Sequence, residues 1–125
     1  MLSYPRMNSL LKELTDNNGY INSVALSNKF NLHLIDLAIL LGLSRDRIKD
    51  KKYIQLTATQ CRLHEMLNIF DFIWPWCGTL EKTYLWYVSQ DIPGFGQQTA
   101  KQLVEKGRYK DVMHYLREIN YGSFA

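Results

Sequence analysis

Between Thr57 and Trp76 the chain reads TATQCRLHEMLNIFDFIWPW, and its apolar residues do not keep to one face of a helix. Leu63, Met66, Leu67, Phe70, Ile73 and Trp74 recur at helical spacing, while Cys61, Ile69, Phe72 and Trp76 fall off that stripe. A helix that is apolar around most of its circumference has to be covered from several sides. Other helices of the chain or a second copy can supply that cover, and a homodimer formed through 57–76 accounts for the surplus. Thr57 to Gln60 has the spacing of a capping box, and Pro75, which cannot continue an α-helix without losing a hydrogen bond, is expected to stop the segment.

Shorter amphipathic segments surround it. Met7, Leu10, Leu11 and Leu14 predict a helix at about 5–15, closed by the turn-forming TDNNG. Ser23 is placed to cap a helix reaching Phe30. Leu34, Leu37, Ala38 and Leu41 form a stripe that Gly42 ends, and Ser44 is placed to cap RDRIKDKK as a further helix. Leu80, Tyr84, Tyr87 and Val88 share a face before DIPGFG breaks the pattern. Thr99 caps a short helix to Glu105, and Tyr109, Val112, Met113, Leu116 and Ile119 mark a last one. No segment alternates with period two, so the expected fold class is all-α. It divides into an amino-terminal helix and turn at 1–19, a helix-turn-helix region at 20–56, and a dimerisation helix with a partner-binding region at 57–125.

With 46% hydrophobic and only 22% charged residues, the chain is far from the composition of disordered proteins. Cys61 and Cys77 form no C-x-x-C and are read as reduced, buried thiols of a cytoplasmic protein. The start, MLSYPRMNSLL, lacks the apolar core of a signal peptide, and no apolar run approaches the ~20 residues of a membrane span. His33, His64 and His114 are scattered, no hydrolase, metalloprotease or phosphate-loop motif is present, and Asp71 and Glu65 read as solvated. No catalytic residue, metal or cofactor is assigned.

Two constellations carry function. Leu37, Ala38, Leu41, Gly42 and Leu43 followed by Ile48 have the apolar pattern of a helix-turn-helix, with Ala38 small where a second helix crosses. Residues 45–52 set five cations against Asp46 and Asp50, a surplus equal to the net +3 of the whole chain. Ser44, Arg45, Arg47, Lys49, Lys51 and Lys52 are therefore the candidate DNA contacts, with Arg45 and Lys49 placed to reach base edges. Asp46 and Asp50 oppose phosphates, and Lys51 takes a position usually apolar in the motif.

The second constellation runs from about 80: Trp86 before the turn, Phe95-Gly96, Thr99-Ala100 opening a helix, LVEKGRYKDVMHYL, and finally Gly122-Ser123-Phe124-Ala125. In this order and spacing, with the upstream helix-turn-helix, residues 20–125 resemble the Xre/MbcA/ParS-type antitoxins, whose short helix commonly opens with Thr-Pro where this chain has Thr99-Ala100. The resemblance implies a homodimeric antitoxin that silences a cognate toxin, commonly a RES-domain protein that consumes NAD, and that represses its own operon on operator DNA. It implies a toxin-binding surface of Tyr109, His114, Arg117 and Tyr121, with Gly122, Ser123, Phe124 and Ala125 entering the toxin's substrate cleft. Phe124 would then be an aromatic plug and the Ala125 carboxylate would meet cations that otherwise hold a nucleotide. The rival reading is a helix-hairpin-helix at IPGFGQQTA, residues 92–100, that holds DNA phosphates with backbone amides, supported by Lys101, Lys106, Arg108 and Lys110.

Overall fold

A computed structural model describes residues 9–122, with side chains from Leu10 to Asn120. It is all-α. Nine helices are present among the described residues: α1 (Ser9–Leu14), α2 (Ser23–Lys29), α3 (Leu34–Leu41), α4 (Arg45–Lys49), α5 (Lys51–Ile54), α6 (Thr57–Cys77), α7 (Leu80–Ser89), α8 (Ala100–Glu105) and α9 (Tyr109–Gly122). Two isolated antiparallel bridges, Thr15 with Ile21 and Asp91 with Thr99, pin the turn before α2 and the loop before α8. Met7, expected to open the first stripe, lies outside the described residues.

α6 is the axis of the molecule, and its apolar circumference has a reason within the chain. α1, α3 and α5 pack on it from the amino-terminal half, and α7, α8 and α9 from the rest. Leu63, Met66, Leu67, Ile69, Phe70 and Ile73 are all buried, so Ile69, off the main stripe, is covered by the chain itself. Phe70 packs between Phe30, with ring centres 5.1 Å apart, and Tyr87, edge-on at 5.0 Å. Burial also holds the Tyr87 hydroxyl firmly in its neutral form.

The ends of α6 differ from the sequence expectation. Leu56, not Thr57, is the N-cap, and no side chain caps this end. Gln60 is instead drawn inside: its Oε1 accepts from the Ile21 amide at 2.8 Å, and its Nε2 donates to the carbonyls of Ile21 at 3.1 Å and Ile54 at 2.9 Å. Three buried backbone groups take precedence over a cap that water could replace. Pro75 does not stop the helix, which runs on to Cys77. Only one amide is lost in the last turn, and Gly78, at φ 91°, closes it by donating to the Trp74 carbonyl at 2.9 Å.

Other local corrections follow the same logic of orphan amides. Asn22 rather than Ser23 caps α2, its Oδ1 accepting from the Ala25 amide at 2.9 Å, while Ser23 is buried as the first helical residue. Asp71, expected in solvent, is half-buried and receives the Leu10 and Leu11 amides at 3.2 and 3.4 Å, tying α1 to α6. Burial pushes its carboxyl above the usual range, and these two hydrogen bonds pull it back in part. Cys61 is exposed and Cys77 half-buried, against the expectation of two buried thiols. No single described helix is long and apolar enough to cross a membrane; the bent pair α2 and α3, at 108°, is apolar because Leu26, Leu37, Leu40 and Leu41 belong to the core.

Candidate partner-binding and nucleic-acid surfaces

The basic segment is built on the α3–α4 junction. Leu37, Ala38, Leu41 and Ile48 are buried as the pattern requires, and Gly42 ends α3 at φ 72°, where a side chain would be strained. The Leu43 amide then closes the turn on the Ala38 carbonyl at 2.8 Å. Ser44 caps α4, accepting from the Arg47 amide at 3.2 Å. The expected single helix RDRIKDKK, however, breaks at Asp50, whose backbone is extended and whose carboxylate caps α5 through the Lys52 amide at 2.9 Å. The cations are thus divided: Arg45, Arg47 and Lys49 lie on α4, and Lys51 and Lys52 on α5. All five are exposed, although the Arg47 guanidinium lies over the Tyr53 ring at 4.9 Å. Among the described residues no carboxylate pairs with any of them.

α9 forms the other surface. Val112, Met113 and Leu116 are buried against the body of the protein, and the Tyr109 hydroxyl accepts from Asn68 Nδ2 of α6 at 3.2 Å. Tyr109 is therefore half-buried and engaged with the protein's own core, unlike His114 and Arg117, which are exposed on the outer face. His114 Nε2 lies 2.7 Å from Glu118 Oε1. The described part of the helix reaches Gly122. The side chain of Tyr121 and all of Ser123, Phe124 and Ala125 lie outside the described residues.

The loop at 92–100 has a backbone that a hairpin motif would use, with Gly94, Gly96 and Gln97 at positive φ. Its helix start is nonetheless occupied. Thr99 and Gln102 form a complete reciprocal capping box, so the amides of Thr99 and Gln102 already have acceptors. The supporting cations are engaged as well: Lys101 with Glu105 at 2.9 Å, Lys106 with Gln98, and Arg108 with Asp111 at 2.8 Å and over the Phe95 ring. Only Lys110 of the four has no such contact among the described residues.

Two adjacent cavities, of about 330 and about 410 Å³, open beside the basic segment and share Tyr20 and Gln55. A third, also of about 410 Å³, lies between the α2–α3 turn and α7. Nothing in the sequence pattern marks these, because each is assembled from residues distant along the chain. Compared with known proteins, the chain matches no family model, no curated protein and no solved structure.

Proposed function

We propose that the chain is the antitoxin of a type II toxin–antitoxin pair, which silences a RES-type, NAD-consuming toxin by lodging the segment after α9 in the toxin's substrate cleft. One observation carries the reading. α9 is fixed to the core by Val112, Met113, Leu116 and the Tyr109–Asn68 hydrogen bond, while His114 and Arg117 stay exposed and the helix continues through Gly122. The residues that follow, Ser123 to Ala125, thus continue from a platform already ordered, which lowers the entropic cost of docking them in a pocket. In this reading the chain is a homodimer, and the unpaired cations of α4 and α5 hold operator DNA.

The deciding experiment removes residues 123–125 and co-expresses the truncated chain with the toxin encoded by the adjacent gene. The truncated chain is expected to keep its helical circular dichroism and to lose both toxin capture and protection of growth. Full protection by the folded, truncated chain overturns the plug mechanism.

A further inference from the structure

The cavity of about 330 Å³ beneath the basic segment is built from three parts of the chain: the turn after α1 with the first residues of α2, the start of α3, and the α4–α5 pair. Its volume falls within the roughly 300–1,000 Å³ typical of small-molecule sites. Its floor is apolar, made by the buried side chains of Ile21, Ile48 and Ile54. Its polar lining is mixed, with Asp16, Tyr20, Asn22, Ser23 and Gln55 beside two lysines, and its formal charge is positive because two cations stand against one acid. Lys49 and Lys51 line it and pair with no carboxylate among the described residues. Asp16, the one acid in the lining, is committed to its own turn, its Oδ1 accepting from the amides of Asn18 at 2.8 Å and Tyr20 at 3.0 Å. Ser23 lines the same cavity at 7% exposure, and its hydroxyl has no hydrogen-bond partner among the described residues. A buried hydroxyl without a partner is unfavourable unless something arrives to meet it.

We propose that this cavity binds a small amphipathic anion, its apolar body on Ile21, Ile48 and Ile54 and its oxyanion between Lys49, Lys51 and the Ser23 hydroxyl. An uncharged apolar ligand leaves the Ser23 hydroxyl without a partner and gains nothing from the two ammonium groups, and a purely ionic one leaves the floor wet. Both demands are met by a carboxylate or sulfonate carried on a ring or short aliphatic chain. Because α4 and α5 each contribute a floor residue and a cation, the ligand bridges the break at Asp50 and holds the two short helices in one arrangement.

The test uses two probes of similar body, anilinonaphthalene sulfonate and the uncharged N-phenylnaphthylamine, titrated into the full chain by fluorescence. The sulfonate is expected to bind one-to-one and more tightly; equal affinity of the two probes overturns the proposal. The double variant Lys49→Gln, Lys51→Gln is expected to weaken the sulfonate about tenfold, as loss of charge-assisted hydrogen bonds at a half-open site implies, and to leave the uncharged probe within about twofold. Loss of both probes to the same degree, with the helical signal intact, counts against it. Ser23→Ala is expected to weaken the sulfonate alone. Amide chemical shifts on adding the sulfonate should move at Ser23, Ile48 and Ile54. Movement confined to Cys61 and His64, or to Leu80–Leu85, would assign binding to another cavity and refute this one. Lys49 is also a DNA contact in the proposed function, so binding is read without DNA; a chain that binds the probe and ignores DNA keeps this site and loses that reading.

Discussion

Gln60 shows how one side chain can organise a fold made of very short helices. Its primary amide has one acceptor and two donors committed, to Ile21 and Ile54, and it is 8% exposed. It joins the turn after α1, the end of α5 and the start of α6, three places that no helical hydrogen bond connects. Replacing it with leucine keeps the bulk but leaves an amide and two carbonyls buried without partners, each worth about 1–3 kcal/mol when unmet. Gln60→Leu is therefore expected to destabilise the chain by about 3 kcal/mol or more in urea melts. Gln60→Glu is expected to be harmful as well, because a carboxylate cannot donate to the two carbonyls. A midpoint unchanged by Gln60→Leu would show that the clamp contributes nothing. The contrast is with Asp71, which performs a similar task for α1 from a half-buried position where water can share the load.

At the scale of elements, the sequence made the helices legible wherever a stripe and a stop signal coincided. α3 with Gly42, α4 with Ser44, α8 with Thr99 and the buried face of α9 are where periodicity and cap chemistry put them. It failed where a polar side chain had a long-range use. Thr57 and Gln60 satisfied the spacing of a capping box, yet the partners that claim Gln60 are 39 and 6 residues away. Asp50 looked like one more charge on a helix, whereas its short carboxylate favours a local cap and breaks the segment in two. That break bears on the proposed DNA contact. α4 has five residues, roughly 7.5 Å of helix, so in that proposal only Arg45 and Lys49, near its two ends, are placed to reach bases. In filter binding to the chain's own promoter fragment, Arg45→Ala with Lys49→Ala is expected to weaken binding and to flatten the dependence of log affinity on log salt by about 2. An unchanged slope and affinity would remove α4 from any nucleic-acid contact.

For the whole molecule, the question is what remains for a second copy once α6 has been covered by its own chain. The surplus apolarity of 57–76 pointed to a dimer, but the middle of the helix is spent: Leu63, Met66, Leu67, Ile69, Phe70 and Ile73 are buried by α1, α3, α5 and α7 to α9. Among the described residues, large apolar exposure along α6 survives only at its two ends, at Leu56 with 49% and Trp76 with 48%, roughly 30 Å apart along the axis. A dimer that uses α6 must therefore use one end. Trp76 is the stronger candidate, since its ring offers the larger area and Phe72 already braces it edge-on at 5.4 Å, so little ordering is needed on contact. Placing a charge at the centre of such a contact strands it away from water, whereas a charge on a free surface is neutral in effect. Trp76→Glu is accordingly expected to halve the mass measured by light scattering at micromolar concentration while leaving the helical signal unchanged. Leu56→Glu should leave the dimer intact. If Trp76→Glu remains dimeric, the twofold contact does not lie at this end of α6, and an unaltered chain that scatters as a monomer removes the proposed homodimer altogether.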